Sequence, residues 1–86
     1  MATLTDEEIL AGIRAEAREL APHVDPAVLR RDAHIAEVGI DSVQMLELVA
    51  RVENRFGVTL PDYDLAAIES VGDLIGIIGR ARAEAS

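Results

Sequence analysis

Residues 39–57 read GIDSVQMLELVARVENRFG, and the reading of this stretch decides the fold. Asp41 is a favoured helix N-cap, and Gln44, three positions on, can reach back to the cap's own N–H, so a helix is expected to start at Ser42. Met45, Leu48, Val49, Val52 and Phe56 then recur at helical spacing and share one apolar face. Gly57 stops the helix, because glycine takes the left-handed conformation at little cost. The outward positions are Val43, Gln44, Glu47, Ala50, Arg51 and Asn54, with Leu46 at the edge.

Upstream, Thr5 and Glu8 have capping-box spacing, and Leu4 with Ile9 suits a hydrophobic staple, so a first helix should begin at about Asp6. Ile9, Ile13, Ala17 and Leu20 line its inner face, and Pro22 marks its end. From Pro22 to Ile40 no long periodic element is visible. Asp25-Pro26 can start one short turn, and Val24, Leu29, Ile35, Val38 and Ile40 are the inward anchors. A connection of this length in a compact domain is expected to carry either function or local structure.

Downstream, residues 58–61 read as extended or turn-like, and Asp62 to Ile68 allows one or two helical turns opened by acids. Ser70 with Asp73 repeats the cap signature, and Val71, Leu74, Ile75 and Ile78 form the face of a last helix. Gly76 and Gly79 each weaken that helix by about 1 kcal/mol relative to alanine unless close packing compensates. The expectation is a single all-α domain over 1–86. It has three main helices and a short one between the second and the last, an ordered core over about 5–80 and a frayed tail over 81–86.

Composition narrows the function. The 86 residues are half hydrophobic, enough for one modest core and too few for a large enzyme with its own substrate domain. Sixteen acids against eight basic residues, all arginine, give a net charge of −8, which repels phosphate backbones and anionic lipid surfaces. Neither nucleic acid nor membrane is an expected partner. There is no cysteine for a disulfide or thiolate site, and His23 and His34 lack further ligands, so no metal site is expected. Asp62-Tyr63-Asp64 begins like a calcium loop, but Ala67 stands where such a loop needs glycine. Ser42, Asp41 and a histidine do not make a hydrolytic triad, for there is no nucleophile elbow and no scaffold large enough to bury one. No basic start or long apolar run is visible, and the cytoplasm is the expected compartment.

Residues 38–79 contain, in order, a Gly-x-Asp-Ser turn (Gly39 to Ser42), an amphipathic helix ending in Phe56-Gly57, a Leu60-Pro61-Asp62 turn, a short helix, and Val71-Gly72-Asp73-Leu74 opening the last helix. Five such pieces in register resemble the acyl carrier proteins of fatty acid and polyketide synthesis. The N-terminal helix and loop match that family only in length and pattern. The resemblance implies a four-helix bundle of the acyl-carrier type that is not an enzyme, with Ser42 bearing a covalent 4′-phosphopantetheine arm taken from coenzyme A by a phosphopantetheinyl transferase. The residues suit this role: a hydroxyl at a helix N-terminus lies beside unpaired N–H groups that favour a phosphate. Asp41 can offer a hard oxygen to the magnesium of the transfer reaction. Gly39 removes bulk beside the serine, so that a partner's backbone can approach.

The resemblance further implies that the second helix meets partner enzymes, such as an acyltransferase, a ketosynthase or another thioester-processing enzyme, and that the chain acts as a monomer. Val43 and Ala50 offer a small apolar patch, and between Asp41 and Asp64 five acids face two arginines, a balance that steers basic surfaces. Fatty-acid carriers usually show a more uniformly acidic second helix, often with an acid two residues after the serine, whereas here Gln44 stands there and Arg51 and Arg55 interrupt the face. That departure favours a dedicated polyketide or other specialised-metabolite pathway, antibiotic assembly among them. Met45, Leu46, Val49, Leu65 and Ile68 are candidates to line an acyl cleft, with plain core packing as the competing reading. Two alternatives to acyl cargo stand at this point. One is an aminoacyl or peptidyl carrier, against which Ile40-Asp41 argues; the other is an unmodified helical interaction module.

Overall fold

The computed structural model describes residues 4–85 and contains four helices: α1 (Asp6–Leu20), α2 (Ser42–Phe56), α3 (Asp62–Leu65) and α4 (Val71–Ala85). No strand occurs among the described residues, only one isolated antiparallel bridge between His34 and Ser70. Each long helix starts where its local chemistry says it should. At α1 the Thr5 Oγ1 accepts from the Glu8 N–H at 3.1 Å while Glu8 Oε1 accepts from the Thr5 N–H at 3.0 Å, which satisfies two otherwise orphaned donors. At the far end of α2, Gly57 sits at φ 67°, the left-handed cap.

α1 packs against α2 and α4, and their apolar faces meet in one aliphatic core. Ile9 and Ile13 from α1, Leu48 and Val52 from α2, and Leu74 and Ile78 from α4 are all at most 1% exposed. α3 contributes no fully buried residue; Leu65 only packs against the core's edge. Met45 and Phe56, expected on the buried stripe of α2, are half-buried because they lie at the helix's two ends, where the packing layer thins.

The long connection between α1 and α2 carries two 3-10 turns, Pro26–Val28 and Ile35–Val38. Only the first was expected. Val24, Leu29, Ile35 and Ile40 are buried as anchors, and Val38 is half-buried. The connection also finishes α4. The Val71 N–H donates to the Ala33 carbonyl at 2.9 Å and the Gly72 N–H to the Arg31 carbonyl at 2.7 Å, so loop carbonyls take two donors that a helix start leaves unpaired. Ile35 N–H returns a bond to the Glu69 carbonyl at 3.0 Å, and Arg14 Nε holds the Leu29 carbonyl at 3.2 Å from α1. The loop is thus structural as well as connecting.

α4 runs to Ala85, past Arg80, where the ordered core was expected to end, and Ser86 lies outside the described residues. Alanine, arginine and glutamate are all strong helix formers, and Arg82 in the last turn complements the negative end of the helix dipole.

Two glycines in helices have opposite roles. A Cβ on Gly12 would overlap the Phe56 Cζ and come within 2.9 Å of Arg55 Nε, so this glycine sets the close approach of α1 to the end of α2. A Cβ on Gly76 meets nothing within 4 Å. Gly12→Ala should therefore destabilise by about 1–2 kcal/mol through overpacking. Gly76→Ala should stabilise by up to about 1 kcal/mol through helix propensity. Urea denaturation of the two variants checks this, and shifts of the same sign would refute it.

At the start of α4, Asp73 Oδ2 accepts from the N–H groups of both Ser70 and Glu69 at 3.1 Å, and Ser70 Oγ accepts from the Asp73 N–H at 3.1 Å. The two backbone bonds, Ser70's first and then Glu69's, hold the Asp73 carboxyl below its ordinary 3.8, with smaller help from the Ser70 hydroxyl and the charge of His34 against a weak opposing effect of burial. A carboxyl whose folded value is depressed stabilises the fold fully above its unfolded value and loses that contribution as pH falls through the folded one. Asp73→Asn should consequently lower stability at pH 7 and narrow its distance from the parent below about pH 4. Urea midpoints at pH 7 and pH 3 measure it, and an equal gap at both would count against this account.

Candidate functional site

Ser42 is the first residue of α2 and is exposed. Asp41 caps the helix: its Oδ1 accepts from the Gln44 N–H at 2.8 Å, while Gln44 Oε1 accepts from the Asp41 N–H at 3.3 Å. The Met45 N–H goes to the Asp41 carbonyl at 2.8 Å. Of the four N–H groups that open the helix, those of Ser42 and Val43 remain for an acceptor from outside, at the end where the helix dipole is positive. Gln44, expected to face outward, is half-buried because its side chain closes this cap.

The turn before the serine is pinned from three sides. Ile40 is buried at 3% exposure, Gly39 adopts φ 98°, and the His23 Nε2–H donates to the Gly39 carbonyl at 3.3 Å. Gly39 is thus required by the left-handed conformation that ends the second 3-10 turn, a reason distinct from room for an approaching partner.

A cleft of about 700 Å³ opens beside Ser42. Met45, Leu46 and Ile68 line it, together with Ile35 and Ile40, while Asp41 and Ser42 belong to its wall at the helix start. Two anticipated residues do not line it. Val49 is 5% exposed and faces the core, and Leu65 packs at the core's edge on α3. Val49 lies one turn farther along α2 than Met45, beyond the cleft's floor. His34, Ala36, Glu37 and Glu69 form the rest of the wall. Periodicity missed the 34–37 segment because a 3-10 turn is too short to show a period; the only signal was Ile35 as a loop anchor.

Along α2, Val43 is 69% and Leu46 67% exposed, so Leu46 stands well out from the edge. Glu47, Ala50 and Asn54 are exposed as expected. Arg51 is not simply outward: it is half-buried, and its Nη1 lies 3.4 Å from Glu16 Oε1 on α1, while Arg55 Nη1 donates to Glu16 Oε2 at 2.9 Å. The two arginines that interrupt the face in the sequence lean on a carboxylate of another helix.

The Ser42 hydroxyl has no hydrogen bond to a histidine or carboxylate among the described residues, and no group of three or more metal-ligating side chains occurs among them. No described helix is long and apolar enough to cross a membrane. The site thus offers an exposed serine at a helix start, beside an open cleft.

Comparison with known proteins supplies the family. The family described as the phosphopantetheine attachment site matches residues 11–78. The meromycolate extension acyl carrier protein of Mycobacterium tuberculosis is 35% identical over 82 residues, covering 94% of this chain and 70% of that protein. An acyl carrier protein of Rhodococcus erythropolis is 33% identical, covering 93% and 88%. Among solved structures, the acyl carrier protein of Thermotoga maritima superposes with a TM-score of 0.85 at 25% identity over 94% of each chain. The hexanoyl carrier of the actinorhodin polyketide synthase from Streptomyces coelicolor gives 0.79 at 31% over the full length of both. The chain belongs to the acyl carrier protein family. It is a carrier, not an enzyme, and its prosthetic group is a covalently attached 4′-phosphopantetheine.

Proposed function

We propose that Ser42 is the attachment point and that the chain tethers acyl intermediates there for delivery, in the cytoplasm, to enzymes of a dedicated biosynthetic pathway. The observation that carries this is the placement of an exposed hydroxyl on the first turn of α2, at the wall of the cleft. In the loading step the Ser42 oxygen attacks the phosphorus of coenzyme A that bears the pantetheine. A phosphodiester forms, the pyrophosphate bond breaks, adenosine 3′,5′-bisphosphate leaves and the hydroxyl proton passes to a base of the transferase. The Ser42 and Val43 N–H groups favour the resulting phosphate. Asp41 uses Oδ1 for the cap, which leaves Oδ2 as the oxygen that would be offered to a magnesium ion brought by the transferase. Once bound, the arm supplies the thiol on which acyl groups ride as thioesters.

The cleft, at a volume ordinary for small-molecule sites, shelters the acyl chain between Met45, Leu46, Ile68, Ile35 and Ile40. Partner enzymes dock on the outward face of α2 around Val43, Leu46, Glu47, Ala50 and Asn54, an apolar patch rimmed by acid. A polyketide or other specialised pathway is supported by Gln44 in the cap, by the two arginines of α2, and by likeness to carriers of actinorhodin and oxytetracycline synthesis. The transferase that loads the chain, and an acyltransferase, ketosynthase or related enzyme that uses it, are the partners.

Intact mass after incubation with coenzyme A, magnesium and a broad-specificity phosphopantetheinyl transferase tests the reading. One phosphopantetheine should be gained, and fragmentation should place it in the tryptic peptide 32–51, where Ser42 is the sole serine. No gain in a folded chain, or a gain mapped to Ser70 or Ser86, would overturn it.

A further inference from the structure

Glu16 on α1 lies away from the serine and the cleft, yet both of its carboxylate oxygens are engaged. Oε2 accepts from Arg55 at 2.9 Å and Oε1 lies 3.4 Å from Arg51 Nη1. Its side chain is 17% exposed, whereas the arginines keep 41% and 44%, so the carboxylate is the fixed member and the guanidinium groups come to it. Gly12, one turn earlier on α1, leaves the space in which Arg55 lies.

Arg51 has a second acidic neighbour. Glu47 stands four residues before it on α2, the spacing and order that favour an ion pair along a helix. Glu47 is nevertheless exposed and makes no ion pair among the described residues. A pair to the less exposed carboxylate of Glu16 is less screened by water and salt than one to a fully solvated Glu47. The helix α1 thus withdraws a cation that would otherwise neutralise the acid on the face of α2.

We propose that Glu16 is a positioning residue for partner choice: by holding Arg51 and Arg55 against α1, it keeps Glu47 unpaired beside Val43 and Leu46, ready for a basic partner surface. This rests on the reading of α2 as the docking helix and Ser42 as the loading point. The partner it suits carries an arginine or lysine next to an apolar patch. Without Glu16, Arg51 turns to Glu47, and the docking face loses its acid without any change at the serine.

Steady-state loading by a broad-specificity phosphopantetheinyl transferase, with the full chain as substrate, reads this out. Glu16→Gln should raise KM about threefold at low salt with kcat nearly unchanged, and the difference should vanish at about 0.5 M salt. Glu16→Gln/Arg51→Gln should return KM toward the parent value. Glu47→Gln should raise KM by itself, and adding Glu16→Gln to it should change nothing more, because the two act through one group. An unchanged KM in either single variant overturns the proposal. So does an equal rise from Glu16→Gln in the Glu47→Gln background, which with a lowered melting temperature assigns Glu16 a purely structural part. If the parent itself is never loaded, the reading of Ser42 falls first and this one with it.

Discussion

Ser42→Ala is expected to abolish loading outright while leaving the fold as it is. The mass gain seen in the parent should be absent under identical conditions, and the circular dichroism melt should move by no more than the small amount typical of exposed substitutions, within about 0.5 kcal/mol. The second part of this expectation follows from what the serine does not do. The cap is made by Asp41 and Gln44, the turn is held by Ile40 and by His23 on the Gly39 carbonyl, and the Ser42 side chain takes part in none of these bonds. Alanine also suits the first turn of a helix. The variant therefore separates presentation from folding. Residual loading would mean that Ser70 or Ser86 substitutes, although Ser70 Oγ is occupied by the Asp73 N–H.

Leu74→Ala is expected to cost the most stability. Leu74 is 0% exposed in the first turn of α4, beside Val71 and Ile75 at 1% and Ile78 at 0%. Removing a buried leucine side chain costs about 2–5 kcal/mol, the larger figure applying where the surroundings cannot close the void. Its neighbours along the helix adjust poorly, since Val71, Ile75 and Ile78 are β-branched with one strongly preferred rotamer in a helix. No aromatic ring is buried here to swing into the space: Phe56 is half-buried and Tyr63 is 77% exposed. A domain of this size holds about 5–10 kcal/mol in all, so the variant should melt at least about 10 °C below the parent. A drop under about 4 °C would show that the core collapses around the hole.

The helices were legible because their signals are local. A capping box acts over three residues, an apolar stripe repeats every three or four, and a C-terminal glycine is read at its own position. For α1 and α2 these signals agree and the boundaries follow: Thr5 with Glu8, Asp41 with Gln44, Gly57 at φ 67°. The one boundary that failed, the end of α4, is where no stop signal exists and where the composition of the last residues itself favours helix.

The site divided along the same line. Ser42, Asp41 and the outward run of α2 are contiguous in sequence, and the family resemblance falls on them directly. The far wall of the cleft does not: Ile35 and Ile68 belong to two segments that meet only because Ile35 N–H bonds the Glu69 carbonyl, and because loop carbonyls at Arg31 and Ala33 take the first N–H groups of α4. Val49 shares the apolar stripe of α2 with Met45, but phase says which way a residue points and not what stands opposite.

From sequence alone, this chain reads as all-α with a serine at a helix start, since caps and stripes are interactions among near neighbours along the chain, and the resemblance of residues 38–79 to a known family adds the carrier reading. Only the tertiary structure decided which residues line the cleft and where the arginines of α2 go. Glu16 reaches Arg51 across 35 positions and Arg55 across 39, and a pairing of that span exists only once packing has brought α1 and α2 together.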